Sequence, residues 1–147
     1  MLTYSIQIVG YDYQQLDAQG ETDFTSFIAA FEAFPWGEQY REWNETQDGP
    51  LPALVLQYTE DGRELWVSAL SDDLTRDFQL NSVSMRTKKG LFGIGKETQQ
   101  QHVETFDIRL RDDVDALCLA FCQRQFEEVD RLARWYVEND LENDRTE

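Results

Sequence analysis

Hydrophobic residues in the last third of the chain recur at three- and four-residue steps. Val114, Leu117, Cys118, Phe121, Cys122, Phe126, Val129, Leu132, Ala133 and Tyr136 keep this spacing, which is that of one face of an α-helix. Asp112, Asp113 and Asp115 stand where a helix start leaves backbone N–H groups without partners and where the helix dipole favours negative charge. Arg131 and Arg134 sit nearer the end, where the dipole favours cations. The pattern predicts one helix over 112–138. It is the longest apolar stripe in the chain, and it offers cover to the strands that precede it.

Those strands show a period of two. Leu2, Tyr4, Ile6 and Ile8 alternate with Thr3, Ser5 and Gln7, the pattern of a strand with one buried face. Gly10 ends it, and residues 11–21 read as a loop. Thr22 or Asp23 caps a helix carrying Phe24, Phe27, Ile28, Phe31 and Phe34, which Pro35 stops. Residues 36–47 give no clear period, and Asp48-Gly49-Pro50 is a turn signal. Strands are expected at 53–59 and 64–70, joined by Glu60-Asp61-Gly62-Arg63, where Asp-Gly supplies the positive φ angles of a hairpin. Phe78 and Leu80 open another strand. Val83 and Met85 continue it out of phase, which predicts a bulge. Phe106, Ile108 and Leu110 mark the last strand.

The expected order is β-α-β-β-β-β-α. This is an α+β fold with an antiparallel sheet of about four to five strands, two helices packed on one face and a largely polar second face. Residues 1–138 are expected to form a single domain, and the polar stretch 139–147 a tail that frays.

Charge narrows the partners. Twenty-nine acids face 13 bases, a net charge of −16 over 147 residues. Phosphate backbones and anionic membrane surfaces both need a basic contact face, so neither nucleic acid nor membrane is an expected partner. A basic protein is a permitted one, steered by the long-range field. No basic side chain precedes Arg41 and no long apolar run exists, so neither a secretory leader nor a membrane span is expected. Two cysteines are too few for a disulfide framework, and a reduced, cytoplasmic protein is expected.

Candidate chemistry is thin. Gly90-Leu91-Phe92-Gly93-Ile94-Gly95-Lys96 has the spacing of a phosphate-binding loop, but Glu97 stands where a magnesium-holding Ser or Thr belongs. The loop is flanked by Arg86-Thr87-Lys88-Lys89 and Thr98-Gln99-Gln100-Gln101 rather than by an apolar strand and a helix. Its bases and apolar groups suit a contact surface better. All three lysines lie in or beside it, and Lys88, Lys89, Leu91, Phe92, Ile94 and Lys96 form a candidate partner-binding tip with Phe92 exposed. Cys118, Cys122 and His102 are too few ligands for a closed zinc site, so no metal and no cofactor are expected. The lone histidine has no nucleophile motif beside it, and no catalytic residue is assigned. Asp72-Asp73 reads as a turn. Tyr11, Tyr13, Trp36, Tyr40 and Trp43 form a candidate small-ligand cleft, since tyrosine and tryptophan are enriched at binding hot spots, although they also fill cores.

These readings favour a non-catalytic, acidic protein-binding domain, an inhibitor or immunity-type partner of a basic protein. The alternative is a small-molecule-binding or enzymatic domain using the aromatic cleft. A deep pocket holding a carboxyl of raised pKa would favour the alternative, and a smooth acidic face the first reading. A homo-oligomer joined by lysines of one tip and carboxylates of another copy is a third reading, and it predicts a salt-sensitive dimer.

Overall fold

The computed structural model describes residues 1–88 and 98–146, the side chains of Lys88 and of residues 140–146 excepted. The elements in chain order are β1 (Leu2–Gln7), β2 (Asp17–Glu21), α1 (Phe24–Ala33), α2 (Trp36–Thr46), β3 (Ala53–Tyr58), a short 3-10 turn (Thr59–Asp61), β4 (Arg63–Ala69), β5 (Arg76–Lys88), β6 (Thr98–Leu110), α3 (Arg111–Cys122) and α4 (Phe126–Thr146). The strands form a six-stranded antiparallel sheet in the order β2-β1-β3-β4-β5-β6. The fold is therefore α+β, but with six strands and four helices among the described residues rather than four to five strands and two helices.

Period-two alternation delivers one apolar face. Leu54, Leu56, Leu65, Val67, Phe78, Leu80, Phe106 and Ile108 are buried on it, with Tyr4 and Ile6 packed alongside. Three helices close over this face. Phe27 and Phe31 come from α1, Val114, Leu117, Cys118 and Phe121 from α3, and Val129 and Ala133 from α4. Asp23 caps α1, its carboxylate accepting from the Ser26 N–H at 2.7 Å. The chain turns extended at Phe34, before Pro35, as expected from the proline.

Four local expectations need correction. Residues 17–21, read as loop, form β2, an edge strand whose side chains are all exposed. Such a strand has no buried face and so leaves no periodic signal. The single helix over 112–138 is two helices, broken at Gln123-Arg124-Gln125, with Arg124 in the left-handed region at φ 59°. The turn after β3 is a 3-10 turn in which Gly62 alone takes a positive φ, 61°. There is no bulge in β5. Its register with β4 and β6 is regular from Phe78 onward. Val83 and Met85 fall out of phase because they belong to the face away from the helices, while Ser82 and Ser84 point to the helix side.

Candidate functional site

The sheet face away from the helices is where side chains remain available for contact. Its register rows cross the strands. Ser5, Val55, Trp66, Asn81 and Thr105 make one row, and Thr3, Gln57, Glu64, Val83 and Val103 the next. The β1–β3 half of this face is roofed. Ser5, Gln7, Ala53 and Val55 are buried there although no strand or helix of the core side covers them. Gln7 ties down part of the roof, its Nε2 donating to the carbonyls of Asp12, Tyr13 and Gln15 at 3.2, 3.5 and 3.3 Å. Trp43, at the far end of α2, donates from Nε1 to the Gly49 carbonyl at 3.1 Å and holds the second roof segment.

The other half, over β4 to β6, is open. It forms a groove of about 820 Å³ lined by Gln7, Tyr13, Trp43, Glu64, Trp66, Ser68, Gln79, Asn81, Val83, Gln101, Val103 and Thr105, among others. Its floor is cross-linked by side chains. Ser5 Oγ donates to Gln57 Oε1 at 2.8 Å, Gln57 Nε2 to Glu64 Oε2 at 3.0 Å, and Trp66 Nε1 to Glu64 Oε1 at 3.0 Å. Thr105 Oγ1 donates to Asn81 Oδ1 at 2.6 Å. Gln7 Oε1 is buried and accepts no hydrogen bond among the described residues, a costly state for a polar atom.

A second feature is electrostatic. Residues 1–62 hold eleven acids and one base, Arg41. On α2, Glu38, Glu42 and Glu45 follow at helical spacing and are exposed, so they share one face. Among the described residues none of the three enters an ion pair, whereas Arg63, Arg76, Arg111, Arg124, Arg131 and Arg134 of the second half each pair with a carboxylate, Arg63 and Arg111 largely buried and the others at the surface. Arg63 pairs with Asp130 at 2.7 Å, Arg111 with Glu32 and Asp115 at 2.9 and 2.8 Å, Arg134 with Glu104 at 3.2 Å, and Arg124 with Glu60 and Asp61. On α2 itself three carboxylates stand against one base, Arg41, which leaves the helix acidic.

Four carboxyls among the described residues have lowered pKa values. A backbone N–H bond from Ser26 lowers Asp23, a hydrogen bond from the N-terminal ammonium lowers Glu60, the Thr75 hydroxyl lowers Asp73, and the Arg131 guanidinium lowers Glu128. A carboxyl acting as general acid needs the opposite shift.

The residues singled out from the sequence do not all gather. Trp36 is in the core, its Nε1 donating to the Phe31 carbonyl at 2.7 Å. Tyr11 donates to Asp17 at 2.5 Å at the surface. Tyr40 stacks on Trp43 with ring centroids 5.9 Å apart. Only Tyr13 and Trp43 of the five line the groove. Trp66, Gln79, Asn81 and Thr105, which carry most of its open floor, drew no attention in the sequence, because alternation marks a face as polar without marking it as concave. Lys88 ends β5, and Lys89, Leu91, Phe92, Ile94 and Lys96 lie outside the described residues, as does the phosphate-loop spacing.

Cys118 is buried, and Cys122 is partly so. Burial pushes the Cys118 thiol far up and the Cys122 thiol up to about 11, so both behave as small apolar groups rather than as nucleophiles. No cluster of three or more metal-ligating side chains occurs among the described residues. His102 lies in β6 with Nε2 3.2 Å from Glu104, directly across from Ser84, which is itself buried. Among the described residues no helix is long and apolar enough to cross a membrane. The chain matches no family model, no curated protein and no solved structure, so the chemistry of these two features carries the functional reading.

Proposed function

We propose that this is a non-catalytic acidic binding domain whose partner is a basic protein, in the manner of an inhibitor or immunity protein. The observation that carries this reading is the segregation of charge. Glu38, Glu42 and Glu45 are exposed on α2 and enter no ion pair among the described residues, with Arg41 the single base on that helix, while Arg63, Arg76, Arg111, Arg124, Arg131 and Arg134 of the second half each pair with a carboxylate. An acidic ridge of this kind speeds encounter with a basic surface and rejects acidic ones. The downward carboxyl shifts and the open shape of the groove support a binding role over an acid–base one.

The test is affinity capture from the native lysate at low and high salt, run beside a Glu38→Lys, Glu42→Lys, Glu45→Lys variant. A basic protein recovered stoichiometrically at low salt, released by high salt and absent from the variant is the expected result. Its purified form should bind the wild type at least about tenfold more tightly than the variant. Capture that ignores both salt and the triple substitution would remove the acidic ridge from the interface.

A further inference from the structure

The groove on the open sheet face is chemically unlike the rest of this molecule. On a surface dominated by carboxylates, its hydrogen-bonding side chains are nearly all neutral: Gln79, Asn81, Gln101 and Thr105 on the open floor and Gln7 at the roofed end. Among the described residues its one carboxylate is Glu64, which already accepts from Gln57 through one oxygen and from Trp66 through the other. No described lysine, arginine or histidine lines it. Among the described residues an anionic ligand would find no cation in the groove and a net charge of −16 on the chain around it, while a cationic ligand would find only an occupied carboxylate.

What the groove offers is amides and a hydroxyl, groups that both donate and accept. Asn81 Oδ1 takes the Thr105 hydroxyl, which leaves the Asn81 Nδ2 donors and the Thr105 oxygen lone pairs for a ligand. A ligand hydroxyl suits both, since it can give one proton to the Thr105 oxygen and accept from the Asn81 amide. The floor also carries Trp66, whose indole is tethered along its own strand by the bond to Glu64, with Val83 and Val103 beside it. A flat aromatic surface flanked by aliphatic groups suits the C–H face of a saturated ring. The volume of about 820 Å³ falls within the usual range for small-molecule sites.

We propose that this groove binds a neutral, polyhydroxylated ring compound of the saccharide class. One ring face lies on Trp66, and the hydroxyls meet Gln79, Asn81 and Thr105. This site is separate from the acidic ridge of α2, and its occupancy does not depend on the protein partner proposed above.

The experiment is a titration of the isotope-labelled full chain with glucose, galactose, N-acetylglucosamine, maltose, cellobiose and lactose, each to about 20 mM, a range that reaches millimolar affinities. It is followed by two-dimensional amide NMR. Inorganic phosphate and spermine serve as charged controls. At least one sugar should shift the Trp66 indole N–H and the side-chain amides of Gln79, Asn81 and Gln101 in a saturable manner. An Asn81→Ala, Thr105→Ala variant, at positions that are not buried, should keep the rest of the spectrum and bind about tenfold more weakly. Trp66→Phe should keep weak binding because a ring remains. Three outcomes would overturn the proposal: no shift of these signals by any sugar, equal binding by the double variant, or stronger binding of phosphate or spermine at the same amides. Concentration-dependent shifts of these amides without added sugar would assign the groove to a second copy of the chain, which also overturns it.

Discussion

Tyr58 shows how much one side chain can hold. It closes β3, is nearly fully buried, and donates its hydroxyl to the Cys122 carbonyl at 2.6 Å, the last residue of α3. Its ring lies 5.4 Å from that of Phe121 and 5.5 Å from that of Phe126, and the Arg124 guanidinium sits 4.6 Å over it. One sheet residue thus pins the corner where α3 becomes α4. Tyr58→Phe keeps the ring and leaves a helix-end carbonyl without its donor. The expected loss is about 1 kcal/mol, read as a lower denaturation midpoint in urea with an unchanged slope. An unchanged midpoint would mean that water replaces the phenol at no cost. The same scale explains Trp36. Its period and size fit a cleft or a core equally well, and only the bond to the Phe31 carbonyl places it inside.

Among the elements, the β3–β4 hairpin depends on a single residue. Gly62 has φ 61°, and a Cβ there would sit 2.4 Å from Met85 Cγ on β5. Gly62→Ala should therefore lose about 1–2 kcal/mol, from left-handed backbone strain together with the displaced methionine. Met85 is exposed, so Met85→Ala should remove the steric share and leave the backbone share, a split that a double-mutant cycle measures. If Met85→Ala cancelled the whole loss, the backbone would not be the constraint. The α3–α4 break obeys a different logic. Gln123-Arg124-Gln125 contains no glycine or proline, so the apolar stripe reads straight through it. The chain nonetheless turns there, with Arg124 stacked on Tyr58 and paired with Glu60 and Asp61 across the hairpin. These are contacts between elements, and no local pattern encodes them.

Across the whole molecule, two sets of titrating groups should bound stability. The carboxyls of Asp23, Glu60, Asp73 and Glu128 have lowered pKa values. The stability they supply is present above their usual values of 3.8 and 4.5 and is lost as pH falls through the lower folded values. The thiols of Cys118 and Cys122 are raised from 9.0. Their contribution is complete below that value and is lost as pH climbs toward the folded value, about 11 for Cys122. Thermal melts across pH should give a plateau between these limits, and Cys122→Ala should flatten the alkaline fall. Equal alkaline losses with and without Cys122 would shift the cause to other groups. At neutral pH the net charge of −16 repels itself. Raising sodium chloride from about 0.01 M to about 0.5 M should therefore raise the melting temperature through screening. A fall instead would show that the internal arginine pairs outweigh the repulsion.

The sequence alone determined the strands that bury one face, the capped α1 with its proline stop, and the apolar stripe of α3 and α4, because each is a period set by backbone geometry. It determined the acidic character of the molecule as well, since charge is composition. Only the tertiary structure decided the edge strand β2, which buries nothing and so carries no pattern, and the phase of Val83 and Met85, which depends on where helix cover ends. The groove was also decided there. Trp66, Asn81 and Thr105 are far apart in the chain, and the register of β4, β5 and β6 puts them in one row. The roof that makes this row one wall of a groove is tied down through Gln7, a residue that the alternation of β1 marks as polar and nothing more. Periodicity tells which face of a strand a residue occupies, but which residues become neighbours across strands is fixed only when the strands pair.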